Sequence, residues 1–229
     1  MSGQMKMDEL FGDTIATPGE PHLACVLLLD VSGSMRFSGA IHKLNEALVR
    51  FKEQVCKDEL ARKRIDVAVV TFATNVKVEN DFAPVGILDA RELNAEGMTC
   101  MAEGVQTAID LVKERNRVYD NMGTPFFKPW IFMITDGAPT DTEMIGQAAA
   151  RVRMEESKGK LKFWALGVDG YQKDYLFQLT DRVFELEAHN FTGVFDWLSE
   201  SMVEIANSYV GMEPEFEGDA IPNANKVLE

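Results

Sequence analysis

Three short stretches of this chain carry side chains that offer only oxygen. Asp30-Val31-Ser32-Gly33-Ser34 sets a carboxylate and two hydroxyls at alternate positions, with a glycine that permits a tightly curved backbone. Thr135-Asp136-Gly137 adds a second acid, and Gly97-Met98-Thr99-Cys100 adds another hydroxyl. Brought together, Asp30, Ser32, Ser34, Thr99 and Asp136 would suit a hard cation. Mg²⁺ takes oxygen ligands in near-octahedral geometry and accepts few carboxylates, and Mn²⁺ or Ca²⁺ could take its place. Neutral hydroxyls leave much of the ion's charge uncompensated, so an incoming carboxylate would bind it strongly. Asp-x-Ser-x-Ser alone is a weak signal, since about one chain in twenty of this length would hold it by chance. The same Ser and Asp residues could simply cap a loop.

Position in the fold is what strengthens the cation reading. Leu23 to Asp30 (LACVLLLD) is an apolar run ending in an acid, as expected of a parallel strand buried on both faces. Trp130 to Asp136 (WIFMITD) repeats the pattern, and Ile65 to Phe72, Lys162 to Val168 and Val183 to Leu186 read as further strands. A weaker strand runs from about Val76 to Phe82. Between them, Ile41, Leu44, Leu48, Phe51 and Val55 recur at helical spacing, as do Met101, Val105, Ala108 and Val112. Phe195, Leu198, Met202, Ile205 and Tyr209 mark a last helix, and Thr140-Asp141-Thr142-Glu143 offers a capping box. The alternation predicts an α/β fold: a Rossmann-like, doubly wound, mostly parallel sheet of about six strands with one antiparallel edge strand, flanked by helices. Ligands of such sheets gather beyond the carboxyl ends of the strands, where Asp30 and Asp136 stand. One domain is expected over 21–210, after an extended lead-in (1–20) and before an acidic, disordered tail (211–229).

Asp30-x-Ser32-x-Ser34, Thr99 and Asp136 resemble, position for position, the metal-ion-dependent adhesion site of von Willebrand factor A domains. The resemblance runs from about Leu23 to Tyr209. It implies that Ser32, Ser34 and Thr99 coordinate directly, and that Asp30 and Asp136 bind directly or through water. It also implies that a partner's Asp or Glu completes the shell and that the last helix shifts on binding. Phe126 to Asp141 is more narrowly similar to the bacterial TerY/YegL-type branch, which implies a tellurium-resistance or stress-linked assembly. Gly97-Met98-Thr99 departs from the Gly-Gly-Thr of many relatives.

Other classes fit less well. A net charge of −14 and no extended basic stretch disfavour nucleic acid, and Arg62-Lys63-Arg64 reads as a solvated helix end. No apolar run approaches the roughly 18 residues of a membrane span. Met1 to Asp13 lacks an apolar core, and three cysteines without CxxC spacing suggest a reducing, cytoplasmic setting. No GxSxG elbow activates Ser32 or Ser34, so a non-catalytic interaction module is expected. The alternatives are a Mg²⁺-dependent phosphohydrolase, which would want an acid where Ser32 stands, and a subunit of an ATPase-driven chaperone or metal-insertion complex. His22, His42 and His189 lack ligand spacing and read as surface or core residues; Asn75 and Asp169 read as turn residues and Cys100 as a packed thiol. The 116–128 segment, with Tyr119, Phe126 and Phe127, reads as a long connection whose aromatics pack on the domain or form a second contact surface.

Overall fold

The computed structural model describes residues 15, 17–186, 190–212, 214, 221 and 224–228. Seven strands form one sheet in the order β3-β2-β1-β4-β5-β6-β7. They are β1 (Leu23–Asp30), β2 (Ile65–Phe72), β3 (Val76–Pro84), β4 (Trp130–Thr135), β5 (Lys162–Gly167), β6 (Val183–Leu186) and β7 (Ala224–Lys226). The five inner strands run parallel, while β3 and β7 are antiparallel edges. The helices are α1 (Gly33–Phe37), α2 (Ala40–Val55), α3 (Ala61–Arg64), α4 (Met101–Met122), α5 (Thr142–Ser157), α6 (Lys173–Leu179) and α7 (Phe191–Ala206). Among the described residues, no helix is long and apolar enough to cross a membrane.

Period-two alternation explains why β1 is apolar throughout. Leu23, Cys25, Leu27 and Leu29 face the layer that holds α2 and α7, whereas Ala24, Val26 and Leu28 face α4, α5 and α6. Every residue of β1, β2 and β4 is buried, and each Leu, Ile, Val or Phe placed there contributes about 2 kcal/mol of burial. From β1 the chain winds outward through β2 to β3, then returns beside β1 as β4 and winds the other way. The order therefore reverses between β1 and β4, and the crevice this opens lies where Asp30 and Asp136 emerge.

Several expectations need correction. Among the described residues the sheet has seven strands where about six were expected, and a second antiparallel edge, because the acidic tail supplies β7; Ile221 of that tail is buried in the core. Ala-Asn-Lys has no strand character of its own; it is held by pairing with β6, through Phe184↔Lys226 and Leu186↔Ala224. The first part of the 116–128 segment is helical, as α4 continues to Met122 before Gly123 closes it. Its aromatics pack inward: Tyr119 and Phe127 are buried, and the Tyr119 and Phe126 rings stack at 5.3 Å. The last helix stops at Ala206, which leaves Tyr209 outside it and exposed. His42 is exposed and His22 buried, while His189 and residues 1–14 and 16 of the lead-in lie outside the described residues.

Candidate metal centre

The site is assembled from the carboxyl ends of two adjacent strands. Asp30 is the last residue of β1, and β4 ends at Thr135, one residue before Asp136. Both oxygens of Asp30 are held: Oδ1 accepts the Ser32 N–H at 2.8 Å, and Oδ2 accepts the Thr135 hydroxyl at 2.5 Å. Ser34 Oγ donates to Asp136 Oδ1 at 2.6 Å, joining residues 102 positions apart. Ser32 Oγ and Ser34 Oγ are 3.0 Å apart. Since the single Ser34 proton lies on Asp136, Ser32 is the donor in that pair.

Thr99 comes from the loop before α4. Its carbonyl accepts the Thr140 N–H at 2.9 Å, tying this loop to the one that follows β4. A Cβ built on Gly137 would lie 3.2 Å from Thr99 Oγ1 and 3.7 Å from Asp30 Oδ2, so Gly137 leaves open the space these two oxygens border. Gly97 sets the loop's path. Its φ is +84°, and a side chain there would meet Thr74 Oγ1 at 2.3 Å. The same hydroxyl accepts the Met98 N–H at 3.0 Å, and Gly97 O accepts the Gly33 N–H at 3.0 Å, so the Thr99 loop is joined to the serine loop. All five oxygen-bearing residues predicted from the sequence therefore border one crevice.

The electrostatics of this cluster favour a cation. Asp30 and Asp136 are 0% and 4% exposed. Burial pushes the Asp30 carboxyl up to about 6, against the hydrogen bonds from Ser32 and Thr135, and the neighbouring charge of Asp136 pushes it the same way. A desolvated carboxylate beside another carboxylate is relieved by a proton or by a cation. Among the described residues, no three His, Cys, Asp or Glu side chains come together, so soft, thiolate- or imidazole-rich coordination has no donors here. Two acids and three hydroxyls match a hard cation instead. Mg–O distances of about 2.1 Å put adjacent oxygens of an octahedron about 3.0 Å apart, which is the Ser32–Ser34 separation.

Two roles differ from their expected form. In the sequence Thr135 stands out only as part of Thr135-Asp136-Gly137, yet its hydroxyl fixes Asp30; its place at the strand end beside Asp30 is the available clue. Asp141 precedes α5 but does not cap it with its side chain. Its Oδ2 instead accepts the Glu103 N–H of α4 at 3.0 Å, so one acid caps the neighbouring helix. Cys100 is half-buried, its Sγ donates to Thr74 O at 3.3 Å, and burial pushes its thiol up, away from the reactive thiolate. Asn75 serves a turn, with its carbonyl accepting the Ala73 N–H.

Residues 25–138 match the model of the von Willebrand factor type A domain. No curated protein matches the chain by sequence. Among solved structures, the pilus adhesin SpaC from Lactobacillus rhamnosus GG aligns with a TM-score of 0.64 and 14% identity, over 80% of this chain and 30% of that one. A von Willebrand factor type A protein from Catenulispora acidiphila gives 0.60 and 16%, over 80% and 43%. Proximal thread matrix protein 1 from the mussel byssus, with a zinc-occupied MIDAS motif, gives 0.51 and 19%, over 81% and 45%. The chain thus spans less than half the length of each of these structures, and at such identities the likeness is one of fold.

Proposed function

From the match of residues 25–138 to the von Willebrand factor type A domain, we propose that this chain is a non-catalytic, cation-dependent interaction module of that family. Asp30, Ser32, Ser34, Thr99 and Asp136 hold a divalent cation, Mg²⁺ in the first place, with Mn²⁺ or Ca²⁺ as substitutes. The bound ion offers an open coordination position to the carboxylate of a protein partner's Asp or Glu. The observation that carries this reading is the Ser34–Asp136 hydrogen bond at 2.6 Å. Because the Ser34 hydroxyl donates to Asp136 and accepts from Ser32, its remaining lone pair is left for a cation. Thr135 and the Ser32 amide hold Asp30 in place, so its charge acts within the cluster beside that of Asp136. The zinc-occupied MIDAS motif of the mussel thread protein, which shares this fold, supports a bound metal.

The similarity of Phe126 to Asp141 to the TerY/YegL-type branch supports a bacterial stress or tellurium-resistance assembly as the setting, and a cytoplasmic one. The test is capture on immobilised peptides that carry a central Asp or Glu. Retention should require Mg²⁺ and vanish with EDTA or with Asp30→Ala; undiminished retention in EDTA would overturn the proposal.

A further inference from the structure

The two segments that supply the hydroxyls also carry exposed apolar side chains. Phe37 ends α1, three residues after Ser34, and is 83% exposed; Met98 precedes Thr99 and is 56% exposed. Their segments are joined where the Gly33 N–H donates to Gly97 O at 3.0 Å. A Cβ built on Gly33 would lie 3.8 Å from the Phe37 ring and 3.4 Å from Gly97 O, the carbonyl next to Met98. Phe37 is therefore one van der Waals layer from the serine loop, and the Arg36 guanidinium lies 5.3 Å from its ring centroid. Single exposed apolar residues are ordinary on protein surfaces. What distinguishes this pair is its attachment to both hydroxyl-bearing loops of one candidate centre.

We propose that Phe37 and Met98 form an apolar rim that selects partner acids flanked by an aliphatic or aromatic residue. The inference rests on the reading of the centre as an acid-binding site. A carboxylate anchored between Ser34 and Thr99 fixes its own chain, and the residues on either side lie within about 3.6 Å per position, over this rim. Charge points the same way. With 37 acidic against 23 basic residues, the chain repels an acid-rich partner, so contact energy beyond the anchoring carboxylate comes from surfaces without charge. Burying Phe37 and Met98 supplies that energy at any ionic strength.

The experiment uses the full chain on an array of immobilised peptides with a central Asp or Glu and every flanking residue. It is probed in Mg²⁺ and in EDTA, with Phe37→Ser, Met98→Ser and Asp30→Ala compared. Tyr209→Ser, at an equally exposed aromatic outside these loops, controls for general stickiness. Mg²⁺-dependent retention should favour aliphatic and aromatic flanks, and Phe37→Ser should lower it about ten-fold, as expected for one aromatic contact, with Mg²⁺ affinity unchanged. Mg²⁺-dependent retention that ignores the flanks, or survives Phe37→Ser and Met98→Ser, overturns the rim and leaves the acid-binding reading standing. Absence of any Mg²⁺-dependent retention overturns both.

Discussion

Ser34 Oγ and Asp136 Oδ1 lie 2.6 Å apart, a single hydrogen bond that links the loop after β1 to the end of β4. The pairing depends on β1 and β4 being neighbours, although β2, β3 and α4 separate them in sequence. It orients the Ser34 hydroxyl and also shares the desolvation of Asp136. Ser34→Ala therefore removes a proposed ligand and leaves Asp136 without this hydrogen bond. Mg²⁺ affinity should fall about ten-fold or more, on the scale of a lost charge-assisted hydrogen bond, while Ser34→Thr retains most of it. Isothermal titration of both variants checks this; equal affinity in Ser34→Ala would remove Ser34 from the centre.

Asp30 links stability to pH. Its carboxyl sits at about 6 in the folded chain and at 3.8 when unperturbed, so the folded state holds the proton more tightly. Without metal, the contribution of Asp30 to stability is greatest below the lower value, falls as pH rises between the two, and stays lowered above about 6. The difference is on the order of 3 kcal/mol. Thermal melts of chelator-treated protein from pH 4 to 7.5 should show this decline, and Asp30→Asn should flatten it. Added Mg²⁺ should raise the melting temperature most above pH 6, where protons no longer compete with it. A metal effect that grows as pH falls would contradict the assignment.

Asp141 should reveal itself on the wrong helix for its position in sequence. Asp141→Ala removes the acceptor of the Glu103 N–H at the start of α4, at a cost of about 1 kcal/mol. Hydrogen exchange should quicken at the Glu103 amide and the first turn of α4 more than at the first turn of α5. The reverse order would show that Asp141 caps its own helix in solution.

A second buried charge cluster is predicted to matter for stability alone. Asp66 Oδ2 accepts from His22 Nδ1 at 2.9 Å, Arg115 at 2.8 Å and the Tyr119 hydroxyl at 2.5 Å. Asp66 pairs in register with Ala24, whereas Asp30 pairs with Phe72, so the two clusters are six strand residues, or about 20 Å, apart. Asp66→Ala leaves Arg115 buried without this carboxylate and should cost about 3–5 kcal/mol. Denaturant titration measures that loss, and Mg²⁺ affinity of the folded fraction should not change. A parallel loss of Mg²⁺ binding would show coupling between the ends of the sheet.

The strands of the core were legible because β1 and β4 are apolar on both faces, with an acid closing β1 and another just after β4, a pattern that a doubly covered sheet requires. The five oxygen-bearing residues were legible for a related reason: short motifs at strand ends are carried to one edge by the topology. Interactions between distant segments left no local trace. The Asp66 network joins residues 44 to 53 positions apart, and Asp141 serves a helix that precedes it by 38. The strand β7 was hidden because pairing with β6, rather than the composition of Ala-Asn-Lys, makes it a strand. Asn116 to Met122 looked like a connection because of its polar residues, yet Tyr119 and Arg115 anchor that turn of α4 to Asp66.

The central claim is that two buried acids and three hydroxyls hold a divalent cation. Calorimetric titration of Mg²⁺, then Mn²⁺, into chelator-treated wild type and Asp136→Ala tests it most directly. Binding of one ion per chain in the wild type, weakened at least about ten-fold in a variant that remains folded, is the predicted result. Folded wild-type protein that takes up neither ion, or a variant that binds both equally well, would contradict it.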